Sequence, residues 1–139
     1  MLLRLHKIDA GRLTLGDAAL FRDVSGYPDN RELYLAADIL VTDYSSVMFD
    51  FAVTRKPILF YTPDLVEYRD ELRGFYFDLE AEAPGPLLST VGKLTGAIED
   101  LDAATVGRAG AYDAFVERFC HLDDGRASER VVDALLGAG

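Results

Sequence analysis

The run Asp43-Tyr44-Ser45-Ser46 is the part of this sequence best equipped for chemistry. It follows the apolar Ile39-Leu40-Val41-Thr42 and precedes Val47, Phe49 and Phe51, so polar side chains stand where a buried strand gives way to a helix. Free backbone N–H groups and two serine hydroxyls at such a junction can hold an anion without a basic side chain. The implied chemistry is recognition of a phosphorylated ligand. Ser45 and Ser46 could instead simply cap the helix, as serine often does. The phosphate role is the preferred reading, because capping and phosphate binding use the same exposed amides.

The elements that must position this turn follow from hydrophobic periodicity. Leu2-Leu3-Arg4-Leu5-His6 reads as a first strand, and Ala19 to Val24 as a second that ends at Ser25-Gly26. Asp29 or Asn30 caps a helix through Arg31 to Ala37. A third strand spans Ile39 to Thr42, and the helix after it runs from about Ser46 to Val53. Lys56-Pro57 breaks that helix ahead of a fourth strand, Ile58-Leu59-Phe60-Tyr61. Asp64, behind Pro63, is expected to cap a helix through Leu65 to Leu72, with Gly74 just past its end. Phe75-Tyr76-Phe77 is expected as a short extended edge, and Ala83-Pro84-Gly85-Pro86 as a loop. Beyond it the pattern is helical over Leu94 to Leu101, Val106 to Phe119 and Ala127 to Leu136.

Strands alternating with helices imply an α/β fold with a Rossmann-like parallel sheet flanked by helices. Ligands of such sheets sit outside the carboxyl ends of the strands. Those ends carry His6, Ser25-Gly26, Asp43 to Ser46, and Tyr61-Thr62, and the expectation is that they converge on one crevice.

Composition narrows the partners. The 139 residues are expected to form a single domain, half hydrophobic, with seven tyrosines and eight phenylalanines. A net charge of −10 argues against broad nucleic-acid binding and against electrostatic adhesion to an anionic membrane. Any attraction for a phosphate must therefore be local. Cys120 is the only cysteine, which excludes an internal disulfide and a cysteine-based zinc site. His121 beside it lacks further ligands at metal spacing. With no signal peptide and no apolar run of the ~20 residues needed to span a bilayer, a soluble, cytoplasmic-side protein is the default expectation.

The residues also carry a family likeness. Tyr34-Leu35-Ala36-Ala37-Asp38-Ile39-Leu40-Val41-Thr42-Asp43-Tyr44-Ser45-Ser46 and Phe49-Asp50-Phe51 resemble the CDP-glycerol glycerophosphotransferases of teichoic-acid synthesis. So do Lys56 to Tyr61, Asp64-Leu65, Tyr68, Arg73-Gly74-Phe75-Tyr76, Pro84-Gly85-Pro86 and the late Asp123-Asp124-Gly125-Arg126-Ala127-Ser128. The resemblance runs in order from Leu3 to Leu136. It implies the C-terminal half of a glycosyltransferase fold of the two-domain B type, the half that holds the nucleotide donor. The family's acceptor-side domain, with a Trp-His-Gly segment, and its Pro-Thr-Trp strand have no counterpart in a chain without tryptophan. The expectation is a fragment or truncated reading frame that binds donor and turns over little or nothing alone.

Within that resemblance His6 falls on the donor-side histidine, implying charge neutralisation or orientation at the leaving phosphate. Arg126 matches a basic position and could pair with phosphate, or be a solvated surface arginine. Tyr61 and Thr62 could contact base or ribose. Asp43 could reach a ligand hydroxyl, although bonding the amides of its own turn is the preferred role. Asp50 reads as structural. The implied partners are CDP-glycerol or a related CDP-polyol and a polymer acceptor or the missing acceptor domain, at the inner face of the cell membrane. Exposed apolar surface where that domain would dock could drive a homodimer. The family resemblance allows a divalent cation such as magnesium, although no carboxylate cluster marks a site. The competing readings are a non-catalytic nucleotide-binding or assembly module, another nucleotide-sugar transferase of the same fold, and a signalling receiver domain. The last is disfavoured because His6-Lys7 stands where a receiver needs an acidic pair.

Overall fold

The computed structural model describes residues 1–5, 20–72 and 74–137. They fall into two compact units, within 1–36 and 37–139. In the first, strand β1 (Leu2–Leu3) pairs in parallel with β2 (Arg22–Asp23), and helix α1 spans Asn30–Ala36. Ser25 ties the two strands together. Its hydroxyl accepts from the Leu5 amide at 2.9 Å, while its own amide donates to Asp23 Oδ1 at 2.8 Å. The Asp29 carboxylate accepts from the Arg31 amide at 2.9 Å, the cap anticipated for α1.

The second unit is built on a three-stranded parallel sheet, β3 (Leu40–Thr42), β4 (Ile58–Tyr61) and β5 (Leu87–Leu88), in that spatial order. Among the described residues the strands thus fall into two parallel sheets. β4 is the middle strand, which is why it reads as an unbroken apolar run: Ile58, Leu59 and Phe60 are all fully buried. Leu59 packs with Leu88 and Ala97 toward α5 (Val91–Glu99), joined by Ile39, Leu94, Leu101 and Ala104. By the pleat, Ile58 and Phe60 point to the opposite face.

A second layer forms around helix α2 (Val47–Ala52) and helix α7 (Ala109–Phe119). Phe49, Phe77, Phe115 and Phe119 pack ring against ring, with centroids 4.8–6.0 Å apart. Phe77 is therefore an anchor of this cluster, and Phe75-Tyr76-Phe77 does not form the extended edge that its sequence suggested. The sheet edge is β5 instead, inside a stretch expected to be loop and helical flank. Its pairing to β4 is long-range, and the chain enters it through the buried Pro84 and Gly85, the latter pressed against the Ile58 backbone.

Tyr112, also on α7, donates its hydroxyl to the Lys56 carbonyl at 2.8 Å, and burial pushes its pKa up to about 12. The folded chain holds this proton more tightly than the unfolded chain, whose tyrosine titrates near about 10. The stabilising contribution is complete below pH ~10 and is lost as pH rises toward ~12. Tyr112→Phe is expected to flatten the alkaline fall in urea midpoint across that window and to lose about 1 kcal/mol at neutral pH. An alkaline limb as steep as the parent's would contradict this.

After β4 the sequence pattern predicts one α-helix from Leu65 to Leu72. The chain instead makes a short α3 (Leu65–Glu67) that widens into a π-helical turn, Tyr68–Leu72. Gly74, at φ +67°, accomplishes the reversal expected of it, and its amide closes onto the Tyr68 carbonyl at 3.1 Å. A short α4 (Leu79–Glu82) precedes β5. Helices α5, α6 (Leu101–Thr105), α7 and α8 (Ala127–Leu136) complete the unit, with a 3-10 turn at Val106–Arg108 between α6 and α7.

Candidate functional site

Because β3, β4 and β5 are parallel, their carboxyl ends share one edge. The polar turn Asp43 to Ser46 leaves β3 at this edge and leads into α2. Asp43 Oδ1 accepts from the Ser45 amide at 2.9 Å, closing the turn as an Asx motif. The Ser45 amide is thus occupied by Asp43, the role preferred for that carboxylate from the sequence. Met48 and Phe49 bond back to the Ser45 and Ser46 carbonyls, at 3.3 and 3.1 Å, as the helix begins.

What remains available is informative. Ser46 occupies the N-cap position of α2, yet its side chain accepts no capping bond. Among the described residues, neither its amide nor its hydroxyl has a hydrogen-bond partner, and the residue is exposed. Ser45 Oγ lies 3.5 Å from the Val47 amide, at the limit of a hydrogen bond, and its own proton stays free to donate. The turn therefore offers two hydroxyl donors and one amide, in a shape that Asp43 fixes from within.

The other residues singled out from the sequence divide. Tyr61 closes β4 half-buried. Thr62 is 2 % exposed, and its amide continues the sheet by donating to the Leu88 carbonyl at 2.9 Å. An open depression of about 730 Å³ runs beside Thr62 along the carboxyl edge of β4 and β5, where Asp64, Glu67, Glu71 and Ser89 also line it. Three carboxylates make that depression a poor seat for a diphosphate, so the phosphate-binding reading belongs to the serine turn. Arg126 stands at the start of α8, largely exposed, with Nε on Glu129 at 2.8 Å. It forms neither hydrogen bond nor ion pair with the serine turn. Exposed pairs of this kind contribute little to stability. His6 lies outside the described residues. Among the described residues no group of three or more His, Cys, Asp or Glu side chains could hold a metal, and no helix is long and apolar enough to cross a membrane.

Two residues of this edge carry more than the sequence reading gave them. The Tyr44 hydroxyl donates to Asp64 Oδ1 at 2.8 Å, linking the β3–α2 turn to the loop after β4. The Tyr44 ring stacks on Tyr68 with centroids 3.9 Å apart, and Phe75 lies 5.6 Å away. Burial, then the Asp64 carboxylate, pushes the Tyr44 hydroxyl well above the usual phenol range. Tyr44, Asp64, Tyr68 and Phe75 all stood among the motif residues of the sequence, and that joint appearance was the signal of their proximity.

The family model described as CDP-Glycerol:Poly(glycerophosphate) glycerophosphotransferase matches residues 1–137. The chain is 45 % identical to the teichoic acid poly(glycerol phosphate) polymerase of Bacillus subtilis (strain 168), over 99 % of this chain and 19 % of that protein. It is 44 % identical to the teichoic acid glycerol-phosphate transferase of Staphylococcus aureus (strain NCTC 8325 / PS 47), over 98 % of this chain and 35 % of that protein. Among solved structures it superimposes on the wall teichoic acid polymerase TagF, in a variant soaked with CDPG, with a TM-score of 0.82 and 38 % identity. That match covers 96 % of this chain and 33 % of the polymerase. The chain thus spans between about a fifth and about a third of the length of these relatives.

Proposed function

We propose, because the chain belongs to the CDP-glycerol:poly(glycerophosphate) glycerophosphotransferase family, that its serine turn grips the pyrophosphate of a CDP-glycerol donor. The α/β fold, with parallel sheets flanked by helices like the C-terminal half of a B-type glycosyltransferase, is the one that the sequence implied. The observation that carries the reading is the Ser46 N-cap whose hydroxyl and amide are left uncommitted at the carboxyl edge of a parallel sheet.

In the proposed reaction a hydroxyl at the end of a teichoic-acid-type polymer attacks the glycerol-bearing phosphorus. The bond from that phosphorus to the bridging oxygen breaks, CMP leaves with the oxygen, and the hydroxyl proton passes to solvent. Phosphoryl transfer of this kind is accelerated mainly by positioning and by stabilising charge on phosphate oxygens. Ser45 and Ser46 supply such donors. A phosphate monoester has a second pKa of roughly 6, so the leaving CMP needs little protonation. His6 is assigned orientation or charge neutralisation there, on the strength of the family resemblance. Arg126, with donors beyond its Glu129 contact, is assigned a supporting phosphate contact, and Tyr61 and Thr62 contacts to base or ribose. A divalent cation would arrive with the pyrophosphate and neutralise part of its charge. The acceptor polymer, the acceptor-side domain and action at the inner membrane face complete the proposal.

Calorimetry on the 139-residue chain tests the donor assignment. CDP-glycerol is expected to bind weakly but in preference to UDP-sugars, with little or no turnover in the absence of an acceptor half. Equal affinity for both donor classes would refute the assignment. Tighter binding of CDP-ribitol would keep the site and change the polyol.

A further inference from the structure

Resting on the donor reading above, we propose that Tyr44 and Asp64 form a clamp that holds the Asp43–Ser46 turn in the shape that receives phosphate. Asp64 sits where a helix cap belongs, at the N-cap position of α3, yet its carboxylate accepts no bond from the amides of that helix. It accepts the Tyr44 hydroxyl at 2.8 Å instead. A cap residue has been diverted to a neighbouring turn, and what it gains there is a tie across the carboxyl edge of the sheet.

The surroundings reinforce that tie. Tyr68, the first residue of the π-helical turn, lies face to face with Tyr44 at 3.9 Å and an interplanar angle of 23°. Phe75 closes the trio, stacked on Tyr68 at 5.4 Å, and Gly74 in its left-handed conformation returns the chain to make this contact. Single π turns are rare and concentrate at functional sites. The turn is thus held twice: Asp43 bonds the Ser45 amide from within, and Tyr44 anchors the following peptide from outside. Neither Tyr44 nor Asp64 needs to touch the donor; both are positioning residues that act through Ser45 and Ser46.

The test uses the 139-residue chain, amide hydrogen exchange at Ser45 and Val47, and the Kd for CDP-glycerol. Tyr44→Phe keeps the stacked ring and removes only the hydroxyl. It is expected to speed exchange at Ser45 and to weaken donor binding, each by about five- to tenfold, the size of a typical net hydrogen bond. Asp64→Asn retains an acceptor oxygen and should rescue both readouts to near the parent values. Asp64→Ala should match Tyr44→Phe, and the double variant should be no worse than either alone. Unchanged exchange at Ser45 in Tyr44→Phe overturns the clamp, as does faster exchange spread evenly over the sheet, which general destabilisation would give. Faster exchange without weaker binding overturns it too, because the shape of the turn would then not matter to the ligand. If the parent chain fails to bind CDP-glycerol, the donor reading falls, while the exchange arm alone still decides whether Tyr44 and Asp64 hold the turn.

Discussion

Gly85→Ala is expected to lower the stability of the chain by about 3 kcal/mol or more, at the upper end of what overpacking produces. A Cβ on residue 85 would fall 1.8 Å from the Ile58 carbonyl oxygen and 2.8 Å from its carbonyl carbon. Those atoms are backbone of the central strand, so no side chain can swing aside. Ala83, Pro84 and Gly85 are all buried, which leaves the loop no room to retreat outward. If it moves, it takes with it the bond from the Phe60 amide to the Pro86 carbonyl at 3.0 Å and that from Thr62 to Leu88. These bonds hold β5 to β4, so the edge beside the serine turn would loosen with them. Urea denaturation of the parent and the variant decides the matter. A loss under about 1 kcal/mol would mean that the chain passes this point with more space than its backbone shows.

The second large effect is expected at the serines. Ser45→Ala/Ser46→Ala should weaken CDP-glycerol binding by about a hundredfold or more, since each hydroxyl donates to a charged acceptor in the proposed complex. The single variant Ser46→Ala separates the two uses of this residue. Removing a serine that caps a helix lowers stability by about 1 kcal/mol. Because Ser46 makes no capping bond, its replacement should leave the unfolding midpoint in place and move only the Kd. Calorimetry paired with thermal unfolding reads both. A fall in stability with an unchanged Kd would make Ser46 a cap and nothing more.

The sequence carried those parts of the fold whose cause is local. Ile58 to Tyr61 was legible as a strand from its unbroken apolar run, and Ile58, Leu59 and Phe60 lie buried at the centre of the sheet. Ile39 to Thr42, expected as the buried strand, instead becomes β3, in which none of Leu40, Val41 and Thr42 is buried. Lys56-Pro57 and Gly74 marked element ends by their backbone preferences, and Asp29 marked a cap. What stayed hidden depends on partners far along the chain. Leu87–Leu88 is too short for any period to register and becomes a strand only through β4. Phe75-Tyr76-Phe77 has the composition of a strand, yet Phe77 is claimed by the rings of α2 and α7. The helix expected from Leu65 to Leu72 loses its α register where Tyr68 turns onto Tyr44.

The candidate site was legible in the same uneven way. Asp43, Ser45 and Ser46 declared themselves by type and position at a strand end. The bond from the Ser45 amide to Asp43 is the role preferred for that residue from its place at the strand end, but which donor it leaves uncommitted, Ser46, depends on turn geometry that residue types do not encode. The Tyr44–Asp64 bond joins residues 20 apart, so local pattern favoured a helix cap for Asp64, and the tertiary contact won.

A crystal structure of the chain soaked with CDP-glycerol would read out the donor site most directly. The pyrophosphate oxygens should lie about 2.6–3.2 Å from the Ser45 and Ser46 hydroxyls or the Ser46 amide, at the carboxyl edge of β3. Density for the diphosphate elsewhere, with both serine hydroxyls turned away from it, would contradict the assignment.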